Sequence, residues 1–359
     1  MRYDSPDSRE SKLHLFWSIY ILDKALSLRL GRTSAMPDHD ISLPHKPSTG
    51  HVPDPWISIF LRWIDVAKIQ GEVYDRLFSP AALSEPARER ASHAGRLASK
   101  MQQIIAESSK ACFLTGFEFD EKSPFLYIIR KSDEVNNLAI LTLIYRATPT
   151  SETWPFAFVA ECVDSARAAM DSHHECMARL KLVSDTLKCS YAHWTVLQTP
   201  FVPFIVIFCH VIDASDFGDL RRLEDFVRSI ECLCPLSQAV AKLHYLCQTL
   251  VLLAQLYIKA KVQGQEDQTL PFAGQEVGRY LASIGLAPHS PYKDCNSQQQ
   301  MVDAETSTMG LPREGSDYDD SGAMSERMQL DTWFSGNLSL MALLEDDLVQ
   351  LDPEIRTSW

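Results

Sequence analysis

The sequence has no Cys-x-x-Cys pair, no clustered run of lysine and arginine, and no unbroken apolar stretch of membrane-spanning length. Its nine cysteines are scattered, and the closest two are Cys232 and Cys234. Small zinc modules usually bind the metal through closely paired thiolates, so these 359 residues encode no such module. Scattered cysteines in odd number indicate a reducing, intracellular compartment. The apolar stretch at 201–212 is shorter than the roughly 18 residues that a membrane helix needs.

The net charge of −13 is unevenly distributed along the chain. Residues 264–359 contain 17 acidic and 5 basic side chains, which leaves residues 1–263 close to neutral. Binding to the phosphate backbone of DNA needs clustered cations, and only short basic pairs such as Arg130-Lys131 occur. We therefore expect no tight DNA binding by this chain alone. The N-terminus shows no secretory signal, and we expect no membrane partner.

Helical periodicity dominates residues 1–263, and proline or serine precedes several of the predicted helices. The predicted helices cover residues 11–30, 55–77, 84–105, 123–145, 156–183, 185–199, 201–213, 220–232 and 235–262. Strand-like alternation of apolar and polar residues is scarce. The sequence therefore predicts an all-α, multi-helix domain over residues 1–263.

The composition changes after this domain. Residues 264–329 are rich in Gln, Ser, Gly, Pro and acids, and they hold too few apolar side chains to offset the entropy of ordering, which predicts a disordered linker. Apolar residues return in residues 330–359, where acids separate them. This segment is either an acidic activation segment that folds on a coactivator or a C-terminal helix that docks on the domain. The side chains that would contact a coactivator are Trp333, Phe334, Leu343 and Leu344.

The first predicted helix organises the rest of the domain. Apolar side chains surround most of it, which predicts burial on nearly every side. Asp23 lies in one apolar stripe, and a buried carboxylate must be paired with a cation, for which we predict Arg32. This ion pair would be structural rather than catalytic. We predict Ser11 as the N-cap of the helix and Gly31 as its left-handed C-cap.

The run L-F-W-S-I-Y-I-L-D-K, followed by L-G-R and P-D-H-D-I-S-L-P, resembles the fungal-specific transcription factor domain. That domain is the regulatory middle region of binuclear zinc cluster transcription factors. Lys24 stands where the family usually has arginine, and Thr33 where it usually has proline. A second block at 194–212 also resembles the family. The residues that carry the first resemblance are Phe16, Trp17, Asp23, Gly31, Arg32, Asp38, Asp40, Ile41 and Pro44.

The resemblance implies an all-helical regulatory domain that acts in the nucleus and controls RNA polymerase II transcription. DNA and zinc would be bound by an attached module that these residues lack, so no cofactor is expected in this chain. The implied partners are the transcription machinery or a coactivator, and a small-molecule effector. Helices that precede the first helix in the family would be absent. We therefore expect the face with Leu13 and Trp17 to be uncovered, and the chain to aggregate or form a homodimer.

Motifs for catalysis or metal binding are scarce. No P-loop, dinucleotide-binding fingerprint or nucleophile elbow occurs. The run His173-His174-Glu175 lacks the second histidine of a zinc protease site, which predicts a solvated helix face. Cys189 and His193 have the spacing of joint metal ligands, but two ligands alone favour a place in the core. The sequence therefore predicts a protein that is not an enzyme. The alternatives are an all-α enzyme with an unrecognised site and an effector-binding protein.

Overall fold

The computed structural model describes residues 5–44, 56–114, 124–149, 158–181, 183–198 and 201–262. Within these ranges the regular structure is helical and no strand occurs, which confirms the all-α prediction. The helices are α1 (Pro6–Leu30), α2 (Trp56–Val73), α3 (Pro80–Leu83), α4 (Ala87–Leu114), α5 (Pro124–Arg146), α6 (Ala160–Leu180), α7 (Asp185–Tyr191), α8 (Phe201–Ala214), α9 (Phe217–Ile230) and α10 (Gln238–Val262). The predicted linker at 264–329 and the acidic segment at 330–359 lie outside the described residues.

Helix α1 begins one and a half turns before the predicted start. The hydroxyl of Ser5 accepts a hydrogen bond from the backbone N–H of Ser8 at 3.3 Å and so caps the helix. Pro6 follows in the first turn, where its missing N–H costs no hydrogen bond. The predicted cap, Ser11, instead lies inside the helix. Gly31 ends α1 with φ 62° and ψ 37°, which confirms the predicted left-handed C-cap.

Helix α1 is buried on one side only, so the prediction of burial on nearly every side was wrong. The buried side chains recur every three or four residues and are those of Leu13, Trp17, Tyr20, Lys24 and Leu28. The expected uncovered face with Leu13 and Trp17 was also wrong, because α2 covers it through Ile64 and Ala67. A different stripe of α1 is between 40% and 61% exposed, and it consists of Leu15, Ile19, Leu22 and Leu26.

Three apolar clusters form the core of the described residues. The first joins α1 to α2. The second joins α2, α4 and α5 around Leu97 and Ile144. The third and largest joins α5 to α10, and α8 lies at its centre with Phe204, Val206 and Ile207 fully buried. Helix α8 is apolar on most of its circumference because neighbouring helices cover it on several sides.

Helix α10 has an apolar content that the sequence analysis underestimated. The stretch Gln238–Lys259 is long and apolar enough, by length and composition, to cross a membrane, although polar residues interrupt its apolar runs. Leu243, Cys247 and Leu250 of this stretch are buried in the third cluster. Core helices of soluble proteins meet the same criterion, and the core accounts for the buried face of α10.

Candidate functional site

The residues of the sequence motif meet where α1 packs against the loop that follows it. The left-handed turn at Gly31 sends the chain back along α1. The indole Nε1 of Trp17 donates a hydrogen bond to the carbonyl of Pro44 at 3.2 Å. The hydroxyl of Tyr20 donates to Oδ1 of Asp38 at 2.7 Å. We call this group the α1–loop network, and it consists of Trp17, Tyr20, Asp23, Lys24, Ser34, Asp38 and Pro44.

Asp23 belongs to this network, but its partners differ from the prediction. Its Oδ1 accepts the backbone N–H of Ala35 at 3.2 Å, and its Oδ2 accepts the hydroxyl of Ser34. Arg32 is exposed to solvent, so the predicted Asp23–Arg32 ion pair was wrong. Asp23 is only half-buried, and two neutral donors together with solvent satisfy a carboxylate in that position.

Lys24 is the buried cation of the network. Its side chain is 2% exposed, and Nζ lies 3.3 Å from Oδ1 of Asp38 and 5.2 Å from the ring centre of Tyr20. Gly71 of α2 provides the space, because a Cβ there would lie 3.1 Å from both Cδ and Nζ of Lys24. Burial and the Asp38 carboxylate raise the pKa of Tyr20, so its hydroxyl remains a hydrogen-bond donor. The Asp38 carboxylate therefore has two partners, the neutral hydroxyl of Tyr20 and the charged amine of Lys24.

Two other motif residues lie at the margin of the network. Phe16 packs edge-on against Trp17, with ring centres 5.2 Å apart. The side chain of Asp40 is 71% exposed and lies 3.6 Å from His39. The structure thus brings Trp17, Asp23, Asp38 and Pro44 together but leaves Asp40, like Arg32, outside. The network joins the loop to α1 and α2, which indicates a structural role.

A second polar cluster, which the sequence analysis missed, lies between α6, α8 and α9. Asp219 is 0% exposed and accepts hydrogen bonds from Nε and a terminal nitrogen of Arg167 at 2.9 and 2.8 Å. Nδ1 of His210 lies 2.8 Å from the same carboxylate, and Arg222 donates to it at 3.1 Å. Burial alone would raise the pKa of Asp219, but Arg167 and His210 hold it below its usual range. These four residues form the Asp219 cluster.

The Asp219 cluster also has some features of a metal site. Ligand atoms of His210, Asp216 and Asp219 lie within 4.8 Å of one another. However, the guanidinium groups of Arg167 and Arg222 already contact both oxygens of Asp219. A metal ion would compete with these groups for the same lone pairs and would be repelled by their charge. The arrangement is that of an ion-paired structural contact between three helices.

His173 lies in the core rather than on the predicted solvated face. It is 1% exposed, and its two ring nitrogens lie 2.9 Å from the hydroxyls of Tyr191 and Ser229. Burial lowers the pKa of His173 to about 3, so the ring is neutral at physiological pH. His174 and Glu175 are exposed, as predicted. Successive side chains of a helix point about 100° apart, which is why neighbours in this run differ in burial.

The predicted pair of Cys189 and His193, and two open grooves, lie elsewhere in the helical domain. Cys189 and His193 are half-buried rather than within the core, and Nδ1 of His193 lies 2.8 Å from the carbonyl oxygen of Cys189. An open groove of about 290 Å³ lies between α9 and α10, beside Arg228 and His244. Another, of about 460 Å³, lies beside Phe125 at the start of α5 and beside α7. Both are open to solvent rather than enclosed.

Comparison with known protein families finds a match in the N-terminal part of the chain. Residues 2–105 match the model of the fungal specific transcription factor domain. The match covers α1, the α1–loop network, α2 and most of α4, so the resemblance is confirmed over this stretch. The second block, at 194–212, lies outside the matched residues.

A relative of known class extends the comparison. The chain is 24% identical over 293 residues to an uncharacterized transcriptional regulatory protein of Schizosaccharomyces pombe. The alignment covers 74% of this chain and 44% of the relative, so the chain spans less than half of the relative's length. Together the two matches support a fungal transcription regulator. No solved structure matches the chain.

Proposed function

We propose that this chain is the regulatory part of a fungal transcription regulator of the binuclear zinc cluster type, and that it acts in the nucleus. The observation that carries the proposal is the domain match at residues 2–105. The motif within that match forms a connected set of contacts, from Trp17 to Pro44 and from Tyr20 and Lys24 to Asp38. The domain controls RNA polymerase II transcription and is not an enzyme.

DNA and zinc are bound in this proposal by a separate module. Residues 1–263 are close to neutral, and several arginines that would be needed for a phosphate surface are committed to ion pairs. Arg167 and Arg222 bond Asp219, and Arg228 pairs with Asp225. The chain alone should therefore not retain a DNA duplex at physiological salt. The same chain joined to a zinc cluster module should bind, and a zinc chelator should abolish that binding.

The proposed partners are a coactivator, or the transcription machinery itself, and a small-molecule effector. The coactivator would bind the acidic segment at 330–359 through the side chains of Trp333, Phe334, Leu343 and Leu344. This segment lies outside the described residues, and the support comes from its composition. The effector would bind on the helical domain, where the open groove between α9 and α10 and the groove beside α7 are two candidate surfaces.

A reporter experiment tests the coactivator role. Residues 317–359 are fused to an unrelated DNA-binding domain, and we expect the fusion to activate a reporter gene. Replacing aromatic anchors in such interfaces typically costs about 1–4 kcal/mol. Trp333→Ala with Phe334→Ala should therefore silence most of the activation, whereas Gln329→Ala, next to the segment, serves as the control. The coactivator role would be contradicted if the fusion is inert and deletion of 330–359 makes the chain less stable. That result would instead indicate a C-terminal helix that docks on the domain.

A further inference from the structure

The outer face of α10 carries a stripe of apolar side chains that no described element covers. Tyr245, Leu252 and Leu256 are each more than half exposed, and spacings of seven and four residues place them on one side of the helix. Lys259 continues the stripe, and within the described ranges it makes no hydrogen bond or ion pair. We call these four residues the α10 stripe. It offers a docking surface for a second helix.

The groove between α9 and α10 borders the α10 stripe along one side. Among the three apolar side chains of the stripe, only Leu252 also lines that groove. A helix on the stripe would therefore lie beside the proposed effector surface rather than inside it.

One stretch of the predicted linker is more apolar than the rest. Within residues 270–286, the side chains of Val277, Tyr280 and Ile284 follow one another at spacings of three and four residues. That spacing places them on one face of a helix. Glu276 lies at the margin of the same face, because successive helical residues are about 100° apart. The stretch therefore indicates a short amphipathic helix with an acid beside its apolar face.

Start and stop signals bound this helix. Pro271 is favourable in the first turn, where its missing N–H costs no hydrogen bond. Gly285 suits a left-handed C-cap, and Leu281 and Leu286 stand at the two positions whose side chains contact each other in such a cap. A helix of about 14 residues is marginal in water by itself, so it needs a surface to pack on.

The two apolar faces match when the helices run antiparallel. Leu256 then faces Tyr280, and Leu252 faces Ile284, because each of these pairs of neighbours along a helix is four residues apart. Two helices pack along their length when their apolar side chains have matched spacings of this kind.

The charges agree with the same register. Lys259 is three residues after Leu256 and so faces Val277, which is three residues before Tyr280. Glu276 precedes Val277 and would lie beside the Lys259 ammonium group. The register that joins the apolar side chains therefore also gives Lys259 an acidic partner.

The connection between the two helices is long enough for this arrangement. Packed helix axes lie about 10 Å apart, and the second helix would begin about 6 Å beyond the end of α10 at Val262. The chain at 263–269 can span roughly 23 Å when extended. A segment tethered this closely has an effective concentration in the millimolar range, which compensates for a small contact area.

A second copy of the chain is a poorer occupant of the α10 stripe. Each partner of a stable dimer buries about 800 Å², which is more than three exposed side chains of one helix provide. The acidic segment at 330–359 is not involved and stays available to a coactivator. We infer that residues 270–284 dock as an antiparallel helix on the α10 stripe, with Glu276 beside Lys259.

Hydrogen exchange in the full chain, followed by mass spectrometry, tests this inference. We expect the backbone amides of residues 272–284 to exchange at least about tenfold more slowly than the same amides in an isolated peptide of residues 263–290, since docked helices protect their amides. Leu252→Asp with Leu256→Asp should remove this protection. Both side chains are exposed, so exchange in α8 should stay unchanged and show that the helical domain is folded.

Helix α1 supplies the matched control. Leu15 and Ile19 are 61% and 50% exposed, close to the 62% of Leu256 and the 55% of Leu252. Leu15→Asp with Ile19→Asp should therefore leave the protection unchanged. Absence of protection in the parent chain, or equal protection in the two double variants, would overturn the inference. Protection that falls on dilution would overturn it in favour of a second copy.

Charge reversal provides the second arm. Lys259→Glu should reduce the protection about two- to fivefold, since repulsion replaces an exposed ion pair. Adding Glu276→Lys should restore it. A charge reversal without effect, or one that the second substitution does not repair, would also overturn the inference.

Discussion

Replacing Asp219 by asparagine removes a carboxylate that two guanidinium groups and a histidine share. The amide has nearly the same volume, so the change acts on charge and hydrogen bonding rather than on packing. Arg167 would lose its two-nitrogen contact at 2.9 and 2.8 Å. It would keep the more distant Asp164 at 3.4 Å and Asp216 at 3.6 Å. Its side chain is 29% exposed, so water would also compensate part of its charge.

Breaking a buried ion pair by removing one partner costs about 3–5 kcal/mol. Because Arg167 keeps other contacts, we expect Asp219→Asn to lower the free energy of unfolding by about 3 kcal/mol, the lower end of this range. For a domain of about 250 residues this free energy lowers the unfolding midpoint by about 6 °C. Thermal unfolding at pH 7, followed by circular dichroism, measures the shift. The pKa of Asp219 lies below its usual range, so this stability is present above about pH 4 and is lost as the pH falls further.

The same helix supplies a matched control. Asp225 pairs with Arg228 at 2.8 Å, but the arginine is 70% exposed. An exposed pair of this kind contributes about 0–1 kcal/mol, so Asp225→Asn should lower the midpoint by less than about 2 °C. A midpoint for Asp219→Asn within 1 °C (about 0.5 kcal/mol) of the parent chain would refute the assignment of Asp219 as a structural ion-pair centre. Equal shifts for the two variants would refute it as well.

Three further predictions concern other described residues. Gly71→Ala should destabilise the chain by about 1 kcal/mol in urea unfolding, because its Cβ would press on the buried Lys24. Gly95→Ala, with open space around its Cβ, should stabilise it by up to about 1 kcal/mol, and equal effects would contradict the packing argument. His173 is neutral in the folded state down to about pH 3, whereas in the unfolded state it takes up a proton as the pH falls below about 6.5. The free energy of unfolding should therefore fall with pH more steeply in the parent chain than in His173→Gln, by about 1.4 kcal/mol per pH unit. Asp23→Ala should cost about 1.5–3 kcal/mol through its lost hydrogen bonds, and an unchanged midpoint would exclude it from the α1–loop network.

The helices were largely predictable because their signals are local. Proline before a periodic apolar run marked the start of α5 at Pro124, and Gly31 marked the end of α1. The start of α1 was wrong because Ser5 and Ser11 are equally good capping residues. Only the contacts of the folded chain decide between two such candidates. The predicted burial of α1 on nearly every side was also wrong, because the presence of an apolar side chain such as Leu15 does not reveal whether another element covers it.

The polar contacts were less predictable because their partners come from distant parts of the sequence. Arg32 is close to Asp23 in sequence, yet the Asp23 carboxylate accepts its hydrogen bonds from Ser34 and Ala35 in the loop that follows. The position of Lys24 depends on Gly71 of α2, which no pattern in α1 indicates. Arg167 and Asp219 are 52 residues apart and belong to different helices. The motif in the sequence therefore located the α1–loop network, but the ion pairs followed only from the packing of the helices.

The most direct test of the central claim is to tether the full chain to a promoter. The chain is fused to an unrelated DNA-binding domain, and transcription from a reporter is compared with that of the DNA-binding domain alone at equal protein abundance. If the chain is the regulatory part of a transcription regulator, we expect reporter transcript to change severalfold, upward or downward, and the change to disappear when the binding site is removed. Reporter transcript equal to that of the DNA-binding domain alone, with the fusion folded and nuclear, would contradict the account.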